Sequence, residues 1–203
     1  MANRQPRRRL TQARVLDAAQ TVADRDGLAA LTMRNLAAEV GVEAMSLYHH
    51  FRNKDALLDA LADRVFAELP QPSAALGDWR SFAEPAARNL WAIFQAHPWA
   101  AELVASRPLG PTARTWVREL GRALEAAGWR RANVRSLIWL LQVFVIGAAI
   151  VEAAADSEAS RAGLDSLPAD VRRYVDHDAS REFGRGLSAL LDGAEARFSP
   201  KSG

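Results

Sequence analysis

The sequence predicts an all-α protein, and three features of its 203 residues lead to that prediction. Apolar residues recur every three or four positions along most of the chain, which is the period of a helix with one buried face. No stretch shows the strict alternation of apolar and polar residues that a half-buried strand would have. Gly27, Gly41 and Gly128 each follow an apolar-periodic segment, and glycine in that place is typical of a helix end.

The composition is that of a globular protein, with 49% hydrophobic and 25% charged residues. Because the chain has no cysteine, it cannot form disulfides, thiolate metal sites or cysteine nucleophiles. No long apolar run follows the basic amino terminus, so we expect no signal peptide. Together these features predict a cytoplasmic protein.

The distribution of charge is more informative than the formal net charge of +2. Nearly all the basic residues are arginines, which codon usage in a GC-rich genome would also explain. Residues 1–54, however, hold nine Arg and Lys against five Asp and Glu, and four of these positive charges lie in a basic arm, residues 1–10. The positive excess therefore lies at the start of the chain, a feature that favours contact with a polyanion.

Residues 11–70 predict a helix-turn-helix head. Helices are expected at 12–26 after a Thr11 cap, at 33–40 after a Thr32 cap, at 44–51, and from Lys54 after an Asn53 cap. A three-residue connection, Gly41 to Glu43, joins the second helix to the third. A short glycine-containing turn of this kind lets the third helix cross the second steeply and enter a DNA major groove.

Residues 71–198 predict a second, larger helical domain, followed by a tail at 199–203. Pro70 and Pro72 mark the boundary between the head and this domain. Helices are expected at 79–96, 98–106, 112–127 with Thr112 as the cap, 131–155 and 179–198. The polar composition of residues 156–168 predicts a loop.

An almost unbroken apolar run extends from Leu137 to Val151 inside the predicted helix 131–155. A membrane span needs ~20 apolar residues, whereas this run has 15 and contains Gln142. We therefore expect no membrane and a helix buried on all sides, partly against a second copy of the chain. Helices 131–155 and 179–198 of two copies would form a four-helix interface of a homodimer. The interface residues predicted are Leu141, Phe144, Ala148, Val151, Leu187 and Leu191.

The head also carries a specific set of motifs. These are Leu31-Thr32-Met33-Arg34-Asn35-Leu36-Ala37, Val40-Gly41-Val42, Ser46-Leu47-Tyr48-His49-His50-Phe51 and Asn53-Lys54-Asp55-Ala56-Leu57-Leu58. On these residues, positions 10–69 resemble the DNA-binding domain of the TetR family of repressors. The remainder resembles the all-helical carboxy-terminal domain of the tetracycline-repressor branch of that family, most clearly at Ser106-Arg107-Pro108.

The resemblance implies that the third helix lies in the major groove. It implies further that Arg34 contacts bases or backbone and that Tyr48 and Lys54 hold phosphates. The alternative is that Tyr48 is a core aromatic and Lys54 a solvated charge at a helix end. The side chains of Met45 and Ala44 form few hydrogen bonds, so the specificity for a DNA sequence would depend on contacts with thymine methyl groups and on DNA shape. The DNA-contacting residues predicted are Met33, Arg34, Glu43, Ala44, Met45, Ser46, Tyr48, His49, His50 and Lys54.

No catalytic, cofactor or metal site is expected. His49 and His50 are adjacent and would diverge by ~100° on a helix, and no ligand-type residue lies four positions away. The chain has no Gly-x-Ser-x-Gly motif and no phosphate-binding loop. We therefore expect a protein that is not an enzyme.

The second domain carries an unusual number of tryptophans and phenylalanines between residues 79 and 151. They either fill an ordinary core or enclose a pocket for a small apolar or aromatic effector. The pocket residues predicted are Trp91, Phe94, Arg107, Trp116, Trp139 and Phe144. Ala86 and Leu103 align with an asparagine and a histidine that the tetracycline repressor presents to the drug and its magnesium ion, so the resemblance does not extend to that ligand.

The function predicted is that of a homodimeric repressor that binds a near-palindromic DNA operator and is released by a small-molecule effector. Two alternatives remain open at this stage. One is an activator or a regulator without an effector. The other is a helical module that sequesters a ligand and does not bind DNA.

Overall fold

The computed structural model describes residues 9–70, 79–155, 158–175 and 178–198. Over these ranges every regular element is helical, so the all-α prediction is confirmed. The helices are α1 (Gln12–Ala30), α2 (Met33–Val40), α3 (Ala44–Tyr48), α4 (Lys54–Ala67), α5 (Arg80–Ala96), α6 (Trp99–Ser106), α7 (Pro111–Ala126), α8 (Arg131–Ala155), α9 (Glu158–Asp165), α10 (Ala169–Val175) and α11 (Ala179–Phe198).

The first four helices pack around one hydrophobic cluster. Each contributes the apolar stripe that its periodicity predicts, and Val15, Leu36, Leu47 and Leu57 at its centre are completely buried. Since α3 has only five residues, Leu47 provides most of its anchorage. Phe51, just beyond α3, packs into the same cluster.

Three helices of the head begin at the side-chain caps that the sequence predicts. Thr11 Oγ1 accepts a hydrogen bond from the Arg14 amide at 3.2 Å, and Thr32 Oγ1 accepts one from the Asn35 amide at 3.1 Å. Asn53 Oδ1 accepts from the Ala56 amide at 2.8 Å. Each cap satisfies an amide that has no partner within its own helix.

Glycine shapes both connections around α2. Gly41 has φ 76°, a left-handed conformation, and its amide donates to the carbonyls of Ala37 and Ala38, which ends α2. Gly27 has φ 78° and breaks α1 as expected. The chain then resumes one further helical turn to Ala30, so Gly27 is a kink near the end of α1 rather than its last boundary.

α3 is shorter than predicted. It ends at Tyr48 rather than at residue 51, although the amides of His50 and Phe51 still donate to the Leu47 carbonyl. The chain must leave the helical path here because Asn53 adopts an extended conformation to cap α4.

The start of α7 also differs from the prediction. Its N-cap is Gly110 and Pro111 lies in its first turn, so Thr112 is inside the helix and does not cap it. The amides of Thr112 and Ala113 donate instead to the Asp63 carboxylate of α4. A residue 49 positions away in the sequence therefore supplies the cap.

The loop predicted for residues 156–168 is wrong over most of its length. Residues 158–165 form α9, and Pro168 precedes α10, while 156 and 157 lie outside the described residues. Exposed short helices and loops share a polar composition, which explains the error.

The second hydrophobic cluster is built from α5, α6, α7, α8, α11 and the last turn of α4, with α8 packed against α5, α6, α7 and α11. In the described part of the chain α8 is the one helix long and apolar enough to cross a membrane, by length and composition alone. The apolar run Leu137–Val151 is the central part of this helix, whose bounds agree with the predicted 131–155. Only 22% of the residues in its most apolar 18-residue stretch are buried in the protomer.

Gly41→Ala should lower the free energy of unfolding by about 1 kcal/mol or more, because alanine is strained at positive φ. Gly121→Ala is the matched control. Gly121 lies inside α7 with ordinary contact distances around it, and alanine there should raise stability by about 0.5–1 kcal/mol. Denaturant unfolding at one fixed protein concentration measures both changes, and equal effects would contradict the left-handed turn.

Candidate nucleic-acid interface and apolar cavity

The outward face of α3 exposes large side chains to solvent. Met45 is 68% exposed and Tyr48 is 43% exposed, while Leu47 between them is fully buried. Glu43 and His49 are exposed at the two ends of the helix, and Ala44 and Ser46 are half-buried on its flanks. The exposure of Tyr48 argues against its alternative role as a core aromatic.

Two basic residues lie on the helices before and after α3 in the chain. Arg34 on α2 is exposed and makes no hydrogen bond or ion pair within the described residues. Lys54 is the first residue of α4, where its charge lies beside backbone amides and the positive end of the helix dipole. His50 is half-buried, and its carbonyl accepts a hydrogen bond from Gln12 Nε2 at 3.1 Å. The exposed Arg34 guanidinium and the amino terminus of α4 are both suited to bind phosphate.

Met33 does not belong to this face. It is only 9% exposed and packs in the first hydrophobic cluster. Its position at the start of α2 turns the thioether toward the core, so its prediction as a DNA contact is corrected.

The turn between α2 and α3 forms one wall of an open concavity of about 590 Å³. Arg9 and Arg14 lie on the opposite wall, and an Arg14 guanidinium nitrogen donates to the Val40 carbonyl at 3.2 Å. Sequence reasoning predicted a basic arm but did not assign Arg14. Its position three residues after the Thr11 cap could have indicated that it lies at the exposed amino-terminal end of α1.

α1 is bound to the corner between α5 and α6 by a small polar group of residues. Asp24 accepts a hydrogen bond from Trp99 Nε1 at 2.6 Å, and His97 Nδ1 lies 2.7 Å from the same carboxylate. Gln20 Nε2 lies 3.1 Å from His97 Nε2. These contacts fix α1 against the second group of helices.

α4 contacts the segment before α7 through three carboxylates at four-residue spacing. Arg107 donates to Asp55 at 3.0 Å and to Asp59 at 3.3 Å. The hydrogen bond to Asp55 is the largest contribution that raises the pKa of Arg107, partial desolvation opposes it, and the bond to Asp59 adds to it. One turn further along, Asp63 binds the amides of Thr112 and Ala113. Arg107, predicted in the effector pocket, thus binds α4 instead.

An apolar cavity of about 60 Å³ lies between α4, α5, α7 and α8. Its lining is hydrocarbon apart from the Trp116 indole and the Gln142 carboxamide. The residues that form it are Phe66, Ala83, Ala86, Ala87, Leu90, Val104, Leu109, Trp116, Val117, Leu120, Ile138, Leu141, Gln142, Val145 and Ile146.

Of the predicted pocket residues, only Trp116 lines this cavity. Phe94 is 1% exposed in the core, and Trp139 is 61% exposed on the outside of α8. Trp91 and Phe144 each stack on Phe183, with ring centroids 4.4 and 5.3 Å apart. Periodicity failed here because aromatic residues lie on several sides of their helices, and sequence does not tell which side meets the gap.

Several predicted interface residues are also corrected. Leu141 is 7% exposed and lines the cavity, and Leu187 and Leu191 are fully buried inside the protomer. Val151, in contrast, is 64% exposed. Phe144 and Ala148 are half-buried.

The outer face of α8 is apolar and open to solvent. It consists of Trp139, Val143, Ile150 and Val151, which are 61%, 50%, 41% and 64% exposed. The first three were not among the predicted interface residues. Four large apolar side chains on one exposed helix face form a patch that monomeric soluble proteins rarely leave uncovered.

Among the described residues, no three or more His, Asp or Glu side chains are grouped so that they could hold a metal ion.

The comparison with known families accounts for both halves of the chain. Residues 15–61 match the family described as "Bacterial regulatory proteins, tetR family", and residues 70–198 match the "Tetracyclin repressor-like, C-terminal domain". The chain belongs to the TetR family. The resemblance first noted at residues 31–58 is thereby confirmed.

Individual relatives extend along nearly the whole chain. The HTH-type transcriptional repressor DrrR1 of Streptomyces coeruleorubidus is 33% identical over an alignment that covers 99% of this chain and 83% of the relative. The class A tetracycline repressor from transposon 1721 in Escherichia coli is 34% identical, with 90% and 89% covered. Streptomyces coelicolor ActR in complex with actinorhodin has 28% identity and a TM-score of 0.81, with 95% and 99% covered.

This TetR family member therefore carries the helix-turn-helix DNA-binding domain of the family, followed by the ligand-binding type of helical domain. The relatives named here are transcriptional regulators rather than enzymes.

Proposed function

We propose that this TetR family regulator is a cytoplasmic repressor that binds a near-palindromic operator as a homodimer and leaves it when an uncharged aromatic effector binds. Residues 11–70 read the DNA, and residues 71–198 bind the effector and the second copy. The observation that carries the proposal is that α4 begins at Lys54, next to the exposed α3, and has Phe66 in the wall of the apolar cavity. One rigid helix therefore links the two sites.

On the DNA, α3 enters the major groove with Met45 and Ser46 facing the bases. Arg34 supplies the bidentate donor group suited to guanine or phosphate, and Tyr48 and Lys54 bind phosphates on either side. Glu43, Ala44, His49 and His50 complete the contact surface. Because few of these groups distinguish bases by hydrogen bonds, DNA shape and the spacing of two heads contribute much of the specificity.

The homodimer is supported by the outer face of α8. Trp139, Val143, Ile150 and Val151 would pack against the same face of a second copy, with the half-buried Phe144 and Ala148 at its edge. A two-fold interface is the common arrangement in homodimers. It would place two α3 helices on successive major-groove segments, about 34 Å apart.

The effector class follows from the cavity lining. With no charged side chain and no carboxylate or imidazole in the lining, a charged ligand or a chelated metal would lie there unpaired. The two positions that align with the drug- and magnesium-binding residues of the tetracycline repressor offer no such ligand here. Ala86 lies in the cavity wall, and Leu103 packs in the first hydrophobic cluster. Trp116 and the hydrocarbon walls suit a flat aromatic molecule, and Gln142 offers one hydrogen bond. The structural likeness to ActR, which was solved in complex with actinorhodin, supports a small-molecule effector.

Arg34→Ala and Tyr48→Ala should each weaken operator binding at least about tenfold, because each removes a DNA contact. The operator is first selected from genomic fragments with the native protein, and affinity is then measured by fluorescence anisotropy at several salt concentrations. Arg118→Ala, at an exposed site on α7, is the control and should bind as the native protein does. Native affinity of both α2–α3 variants would contradict the assignment.

Val143→Arg should convert the dimer to monomer, because it places a charge in the middle of the apolar α8 face. Sedimentation velocity measures the change, and circular dichroism checks that the helices remain. Ala126→Arg at an exposed position of α7 should leave the dimer intact. A dimeric, folded Val143→Arg protein would place the interface elsewhere.

Nile red, an uncharged polycyclic dye, should bind the apolar cavity and release the selected operator. Ala86→Phe fills the cavity wall and should abolish both effects, whereas Ala92→Phe, at an exposed position of the same helix, should not. Dye fluorescence and anisotropy of labelled operator are the measurements, repeated with EDTA. Release that requires magnesium, or that persists in Ala86→Phe, would contradict the proposed effector site.

A further inference from the structure

The Asp63 side chain joins α4 to α7 through both of its carboxylate oxygens. Oδ2 accepts from the Thr112 amide at 3.0 Å and Oδ1 from the Ala113 amide at 2.8 Å. α7 has no cap from its own segment, since its N-cap residue is Gly110. Asp63 therefore satisfies amides that α7 would otherwise leave without partners, and its negative charge lies at the positive end of the α7 dipole.

Gly110 makes this contact possible by its lack of a side chain. Its φ is −74°, a conformation open to any residue, so the backbone does not require glycine here. A Cβ at this position, however, would overlap the Asp63 side chain. The close approach of the two helices is therefore specific to an Asp63 and Gly110 pair.

The segment that Asp63 holds is also one wall of the effector cavity. Leu109 immediately precedes Gly110, and Trp116 and Val117 follow within the first turns of α7. Leu109 is 42% exposed, so it can move outward with less loss of packing than the buried walls on α5 and α8.

The cavity has to enlarge before it can hold an effector. Its volume of about 60 Å³ is far below the roughly 300–1,000 Å³ typical of pockets for small molecules. Outward movement of Leu109 and the start of α7 would provide space, and it would pull the Thr112 and Ala113 amides away from Asp63. The two hydrogen bonds thus oppose opening of the cavity.

The same carboxylate is on the helix that begins at the DNA. Asp63 is nine residues after Lys54, which is about 13 Å along α4. A change in the position of α7 would therefore act on the carboxy-terminal half of α4. The amino-terminal end of the same helix is proposed to bind phosphate.

We propose that Asp63 is a latch between effector cavity and DNA head, closed in the operator-binding form and opened when the effector enters. This inference rests on the proposed function for the direction of the response to DNA. The latch stabilises the closed form, so its loss favours the open one. Affinity for the effector then rises and affinity for operator falls, and the product of the two fold-changes equals the factor by which the latch shifts the equilibrium, so ~10-fold in each corresponds to a ~100-fold shift.

The test compares Asp63→Asn, Asp63→Ala and Gly110→Ala in the full-length dimer. Gly110→Ala displaces Asp63 without changing any charge, so it keeps the test valid should Asp63→Ala fail to fold. Glu68→Gln, which removes an exposed carboxylate at the end of α4, is the control. The measurements are hydrogen exchange at the Thr112 and Ala113 amides, affinity for Nile red, and affinity for the selected operator.

The expected result is faster exchange at both amides, Nile red affinity ~10-fold higher and operator affinity ~10-fold lower in the latch variants, with native values in Glu68→Gln. Faster exchange with native dye affinity would overturn the latch, because the cap would then be structural only. Weaker dye and weaker operator binding together would overturn it as well. If the native protein binds no operator, the proposed function fails, while exchange and dye affinity still decide whether Asp63 closes the cavity.

Discussion

The structure depends on α4 being packed in two hydrophobic clusters at once. Leu57, Leu58 and Leu61 belong to the cluster of the head, whereas Val65 and Phe66 belong to the cluster of the larger domain. α4 therefore cannot move relative to one group of helices without disturbing its packing against the other. Close-packed interiors change between discrete arrangements rather than deforming smoothly. This constraint makes a two-state response possible in a chain of this size.

Polar contacts on one side of α4 restrain the helix in addition to this packing. Asp55, Asp59 and Asp63 lie on one side of the helix, and all three bind the segment from Arg107 to Ala113. A single stretch, from Arg107 to the first turn of α7, is thus held over two turns of α4. Exposed ion pairs such as those of Arg107 contribute little stability individually. Together with the Asp63 contact they hold Arg107, Thr112 and Ala113 beside α4.

Local signals in the sequence predicted the head well. The Thr32 and Asn53 caps and the Gly41 turn act over three or four residues, so their effect can be read from neighbouring positions. The α7 start was mispredicted because its cap comes from Asp63, which is distant in sequence, and Thr112 was the nearest residue with a suitable side chain. The spacing of the three aspartates was visible, but solvated carboxylate faces look the same in sequence.

The sequence predicts the exposed face of α3 better than the two faces of α8. Exposure of Met45 and Tyr48 follows from the period of a short amphipathic helix with Leu47 as its anchor. α8 is apolar on every side, so its period does not distinguish Leu141, which faces the cavity, from Trp139, which faces solvent. Only the packing of the other helices fixes that choice.

The two faces of α8 also connect the cavity with the proposed dimer. Leu141 and Val145 line the cavity, and Val143, on the opposite side of the helix, belongs to the exposed apolar face. A ligand that displaces the inner residues would press on the helix whose outer face is proposed to hold the second copy. α7 and α4 lie on the other side of the same cavity. In the proposed dimer the cavity thus lies between α8, which would set the spacing of the two heads, and α4, which would orient each head, so one ligand would act on both.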